Sequence, residues 1–163
     1  MKRIFACMGL AVLLTLVSCH DCNIKQEHVI ANGVWNRFEA EQFEFDIDNI
    51  EKCYDIELKL AIDTSRYKGK DFPMVVKLMS ADGECRAIRS SIMICDRDGV
   101  VHGERDGSGL IVCSQKIRNH FFFNSKGTYT MEVYQGTSKY DIVGIKSIAL
   151  TIKTANLRYK DAD

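Results

Sequence analysis

The sequence predicts an all-β protein: an antiparallel two-sheet β-sandwich of Greek-key or jelly-roll type, preceded by a cleaved signal peptide. Three observations predict it. Apolar residues recur at period two through most of the chain, pairs of turn formers punctuate those runs, and no stretch after residue 18 carries the period of an amphipathic helix. Such alternation puts one face of each strand in a core and the other in water.

In order along the chain, Phe43, Phe45 and Ile47 alternate with Glu44, Asp46 and Asp48. Tyr54, Ile56, Leu58, Leu60 and Ile62 repeat the pattern, as do Met74, Val76 and Leu78. Tyr129, Met131 and Val133 follow, then Ile148, Leu150 and Ile152. Further strands are expected over 85–95, 109–114 and 116–123. Asn32-Gly33, Asp82-Gly83, Asp98-Gly99 and Asp106-Gly107 lie between or beside these runs and suit tight turns that need positive φ. Phe121-Phe122-Phe123 breaks the alternation and is read as a central strand covered on both faces. With one proline, Pro73, and no low-complexity run, no internal linker is expected.

The first residues have a different character. Lys2 and Arg3 precede an apolar run from Ile4 to Val17, which is the basic start and short apolar core of a secretory signal. The run falls short of the roughly 20 apolar residues that cross a bilayer. Its end, Leu16-Val17-Ser18-Cys19, resembles the bacterial lipobox, where the cysteine thiol receives a diacylglycerol, cleavage falls before it, and the new amino terminus is acylated, with palmitate for example. That resemblance implies a lipoprotein signal peptide over 1–18, a polar lipidated tether over 19–27, and a sandwich domain over 28–163, with Cys19 as the lipidation residue. Two or three acyl chains hold a protein firmly, whereas one gives only marginal binding. The plainer alternative is an ordinary signal peptide cut nearby, with Cys19 an ordinary cysteine.

Charge excludes one class of partner. The whole chain has 22 basic and 22 acidic side chains, and loss of Lys2 and Arg3 leaves 20 against 22, so no nucleic-acid partner is expected. The 145 residues after position 18 are of ordinary single-domain size and can build one core unaided.

The residues offer little to catalysis. Asp96, Asp98, His102, Glu104 and Asp106 cluster in a glycine-rich stretch. With Gly99 at the sixth position of a calcium loop, however, Ile94 stands first and Arg105 twelfth, where an acid belongs. A pair of hairpin turns is the expected reading. Gly107-Ser108-Gly109 lacks the outer spacing of a nucleophile elbow, and Val112 stands where a dinucleotide loop needs its third glycine. His20, His28, His102 and His120 have no partner at metal-ligand spacing. No catalytic residue, metal or cofactor is therefore expected, and the chain is not expected to be an enzyme.

Cys22, Cys53, Cys85, Cys95 and Cys113 remain once Cys7 and Cys19 are accounted for. Five thiols cannot all pair within one molecule. Two readings stay open: a bridge such as Cys85 with Cys95 or Cys95 with Cys113, or cysteines packed as small hydrophobes. A redox pair of Cys19 with Cys22 is excluded under the lipid reading, because an acylated sulfur has no thiol left.

The order Trp35-x-x-Phe38, Tyr54-Asp55-Ile56-x-Leu58-x-Leu60, Tyr67, then Asp98-Gly99, Gly103, Phe123-x-x-x-Gly127-x-Tyr129, Gln135 and Ile142-Val143-Gly144-Ile145 resembles the GldH family of gliding-motility lipoproteins of Bacteroidetes, from Cys19 to about Lys153. Gly136-Thr137 stands where that family leads one to expect a Met-Arg-like pair, and Val100-Val101-His102 replaces an expected aromatic. The resemblance implies a non-enzymatic accessory component of the cell envelope, serving gliding and its associated secretion beside envelope protein partners. The alternative is a lipid-anchored carbohydrate- or small-ligand-binding sandwich, with Trp35, Tyr67, Tyr134 and Tyr140 as ligand or partner contacts; Trp35 also suits a core-edge anchor. Because His20 rather than aspartate follows the lipid cysteine, the outer membrane is expected over the inner, and because His20-Asp21-Cys22-Asn23 carries no clear block of acids, its periplasmic face is expected over the surface.

Overall fold

The computed structural model describes residues 23–155. Eleven strands run in order: β1 (Asn23–Val29), β2 (Val34–Asn36), β3 (Glu41–Ile47), β4 (Tyr54–Ile62), β5 (Asp71–Met79), β6 (Cys85–Met93), β7 (Glu104–Arg105), β8 (Ile111–Phe121), β9 (Gly127–Gln135), β10 (Asp141–Val143) and β11 (Ile145–Thr154). Among the described residues the one helical segment is a 3₁₀ turn, Ala31–Gly33.

A five-stranded sheet has the order β1-β11-β4-β8-β7 and a four-stranded sheet the order β3-β9-β5-β6, with β10 and β2 as a small third pair. Every pairing is antiparallel. The hairpin-like pairs β1/β11, β3/β9, β4/β8 and β5/β6, distributed alternately between two sheets, are the wrapped ladder of a jelly roll. The predicted sandwich and its jelly-roll connectivity are thus present.

Alternation explains the core. In β4 each inward residue, Tyr54, Ile56, Leu58, Leu60 and Ile62, is buried, and its neighbours are half-exposed. Phe43, Phe45, Met74, Val76, Met131, Val133, Leu150 and Ile152 meet these from the other strands. Strand β1 closes one side: the His28 ring stacks on Phe43 at 4.3 Å, and Gln26 Nε2 donates to the Glu44 carbonyl at 2.7 Å.

Three expectations are corrected. Residues 109–114 and 116–123 form one strand, β8, because bulges rather than a turn absorb the irregularity opposite β4. The phenylalanine run is no doubly covered strand: β8 ends at Phe121, Phe122 is exposed, and Phe123 folds back against Tyr54 and Tyr129 at 5.3 and 4.7 Å. The tether stops short of residue 27, since Asn23 already pairs with Lys153 and residues 23–29 are a sheet edge. Polar residues alternating on a half-covered edge strand look like a linker in sequence, which is why the expected boundary at 28 falls inside β1.

The sandwich has two distinct ends. At one, Asn23, Lys153, Tyr54 and Phe121 lie together by register. At the other, Val29, Ile62 and Ile111 sit near the ends of β5 and β9, where Gly136 N–H donates to the Pro73 carbonyl at 2.8 Å.

Candidate functional site

Cys19, Cys22 and His20 lie outside the described residues. The four aromatic candidates do not form one platform. Trp35 is buried in β2, stacks on Phe72 at 5.5 Å, and its Nε1–H donates to the Glu39 carbonyl at 3.0 Å. It is a core anchor. Tyr67 is buried too; its hydroxyl donates to the Asp71 carbonyl at 2.6 Å, and burial, aided by Asp71, pushes the phenol up to about 12. Tyr134 is half-buried on the outer face of the four-stranded sheet, and Tyr140 is 68% exposed.

The Tyr140 end is built around a buried amide. Gln135, 4% exposed, donates from Nε2 to the carbonyls of Lys139 and Tyr140 at 2.8 and 3.3 Å. Its Oε1 accepts the Thr137 N–H at 2.9 Å and hydroxyl at 2.6 Å. A buried side chain so fully satisfied fixes the loop it spans. Gly136 fits because a Cβ there would come 3.1 Å from the Pro73 backbone. The loop presents Tyr140 against Phe38, whose ring lies 5.9 Å away and is tilted by 51°. The Arg37 guanidinium sits over both rings, at 5.6 and 6.0 Å, and the Arg37 backbone N–H donates to the Tyr140 carbonyl at 2.8 Å.

Beside this rim the outer face of β5, β6 and β9 forms a groove of about 580 Å³. Tyr134, Val75 and Arg89 face one another across the three strands, with Pro73 and Lys77 to either side on β5. The Lys77 ammonium rests 4.7 Å from the centre of the Tyr134 ring. Sequence reasoning found Tyr134 and Tyr140 but missed Arg37, Phe38, Lys77 and Arg89. The available signal was Val75, an apolar residue on the outward phase of β5.

The acidic stretch of 96–106 makes turns. Asp96 Oδ1 accepts the N–H groups of Asp98 and Val100 at 2.9 and 2.8 Å, and Asp106 Oδ1 accepts those of Ser108 and Leu110, both at 2.9 Å. The Ser108 hydroxyl, joined by those N–H groups, holds the Asp106 carboxyl below its usual range. Among the described residues no three His, Cys, Asp or Glu side chains group so as to hold a metal ion. Cys85, Cys95 and Cys113 are free thiols, with Cys113 buried, and the buried Cys53 thiol donates to the Ala155 carbonyl at 3.8 Å. Burial pushes the Cys113 thiol up, with a smaller contribution from nearby Cys95.

The fold and this surface define a class: a small jelly-roll domain that carries an exposed aromatic and cationic rim at one end. The chain belongs to the GldH lipoprotein family, whose model matches residues 23–152. Membership makes it an envelope-associated lipoprotein. No curated protein matches the chain. Among solved structures it is similar to VP2 of infectious bursal disease virus in its subviral particle, at 14% identity and a TM-score of 0.45, over 83% of this chain and 33% of that one. The chain thus spans about a third of that structure's length. No helix of the described residues is long and apolar enough to cross a membrane.

Proposed function

We propose that the chain is a non-enzymatic accessory lipoprotein of gliding motility and its associated secretion, held at the outer membrane by lipid on Cys19 and working through contacts with envelope proteins. The observation that carries this reading is the family match over nearly all of the described jelly roll. Burial of Trp35 and Tyr67 supports it further, because it removes half of the aromatic set that a sugar platform would need. Of the other two, Tyr134 is half-buried on the sheet face, and the exposed Tyr140 meets the neighbouring Phe38 at a tilt of 51° rather than coplanar.

Anchorage is tested by Cys19→Ala. The variant is expected to leave the membrane fraction for the soluble periplasmic fraction; persistent membrane association would refute lipid attachment at that residue. The accessory role is tested by deleting the chain from a gliding host, with loss of motility or secretion expected and an unchanged phenotype counting against it.

A further inference from the structure

We propose that the groove bordered by Arg37, Phe38, Lys77, Arg89 and Tyr134 is a docking site for an acidic, extended segment of a partner protein, an inference that rests on the accessory reading and names its surface. The groove has an apolar floor in Pro73 and Val75 and three cations around it. None of its lining residues is a carboxylate. The nearby acids are engaged: Asp71 accepts the Ser91 hydroxyl at 2.9 Å, and Glu132 accepts the Tyr134 hydroxyl at 2.9 Å beside Lys77 at 3.9 Å. Among the described residues neither Arg37 nor Arg89 meets a carboxylate; Arg37 bonds only carbonyls and rings. On a chain of balanced charge this is a local excess of positive potential above an apolar strip, complementary to acidic side chains alternating with apolar ones.

The cations are spread over β5, β6 and the loop after β2 rather than converging on one point. That spacing suits a segment lying along the groove better than a single compact anion. Position argues for protein over lipid. The groove is centred on Val75, midway along β5, and its border runs through Gln135 and Gly136 to Arg37 and Phe38 at the Tyr140 end, while Asn23 begins β1 at the opposite end. Cys19 precedes Asn23 by four positions, a reach of at most about 14 Å. An anchor on Cys19 is therefore tied within that reach of the Asn23 end, opposite the Arg37 and Phe38 border of the groove.

The test uses the full chain in detergent micelles and a fluorescein-labelled peptide alternating glutamate and valine, read by anisotropy. Wild type is expected to bind, more weakly as salt rises, and the double variant Arg37→Glu/Arg89→Glu to bind about tenfold more weakly or worse, with Lys126→Glu at the opposite end as an unaffected control. A second peptide alternating lysine and valine should bind the double variant better than wild type, a reversal that misfolding cannot produce. Equal binding of the glutamate peptide by wild type and double variant, or none by wild type, would overturn the proposal. So would a double variant that loses only its binding to phosphatidylglycerol vesicles, which would mark the groove as a lipid surface. The failure of the wider reading looks different: deletion of the gene would then leave motility and secretion intact whatever the peptide does.

Discussion

Tyr67 joins two parts of the Tyr140 end, since its hydroxyl bonds the start of β5 and its backbone crowds Gly144. Its folded form keeps the phenol protonated to about 12, against 10.0 when unperturbed. A raised value means that the stabilisation is complete below pH about 10 and is lost as pH climbs through about 12. Tyr67→Phe should flatten the fall in stability across that window, seen as urea midpoints that change less with pH than those of wild type. Gly144 has φ +99°, and a Cβ there would stand 2.6 Å from the Tyr67 nitrogen. Gly144→Ala should therefore cost about 2 kcal/mol or more in chemical denaturation, from forbidden backbone and overlap together. Neither effect was legible in sequence. Tyr67 looked like a surface contact because a lone tyrosine beside Lys68 and Gly69 carries no burial signal, and Gly144 differs from other glycines only through a neighbour 77 positions away.

Strand β8 shows what alternation conveys and what it omits. Its inward residues Ile111, Cys113 and Ile117 are buried, yet two register shifts opposite Tyr54, Ile56 and Glu57 insert extra residues before Phe121. His120 takes φ 50°, and its N–H donates to Asp55 Oδ1 at 3.0 Å. That bond first, and then Lys116, hold the Asp55 carboxyl below its usual 3.8 against the opposing effect of burial. A lowered value gives stability that is present above pH about 3.8 and is lost as pH falls through the depressed value. Asp55→Asn should weaken this acid dependence, and Asp55→Ala should cost about 1 kcal/mol, discounted for exposure, in urea unfolding near neutral pH. Because the bulge breaks period two, the sequence reads as two strands and a doubly covered Phe121–Phe123. The same blindness to pairing turned β1 into a tether, since only the register of Asn23 to Lys153 reveals it.

For the whole molecule, periodicity was sufficient to predict two packed antiparallel sheets, because every core position of β4 follows it. Strand order came only from the structure: β1 pairs with β11 across nearly the full chain. Leu58 is fully buried at the centre of that arrangement, and Leu58→Ala should lower stability by about 2–5 kcal/mol in denaturant titration. The surface was less legible than the core. Arg37, Lys77 and Arg89 are far apart in sequence and gather only through the β5/β6 and β5/β9 pairings and the Gln135 loop. The most direct test of the account as a whole is the assembly state of the full chain drawn by affinity tag from gently solubilised envelope of its own host. The account predicts recovery within a stoichiometric complex containing other envelope proteins, diminished by Arg37→Glu/Arg89→Glu at equal abundance. Recovery of the lipoprotein alone, from wild-type cells and variant cells alike, would contradict it.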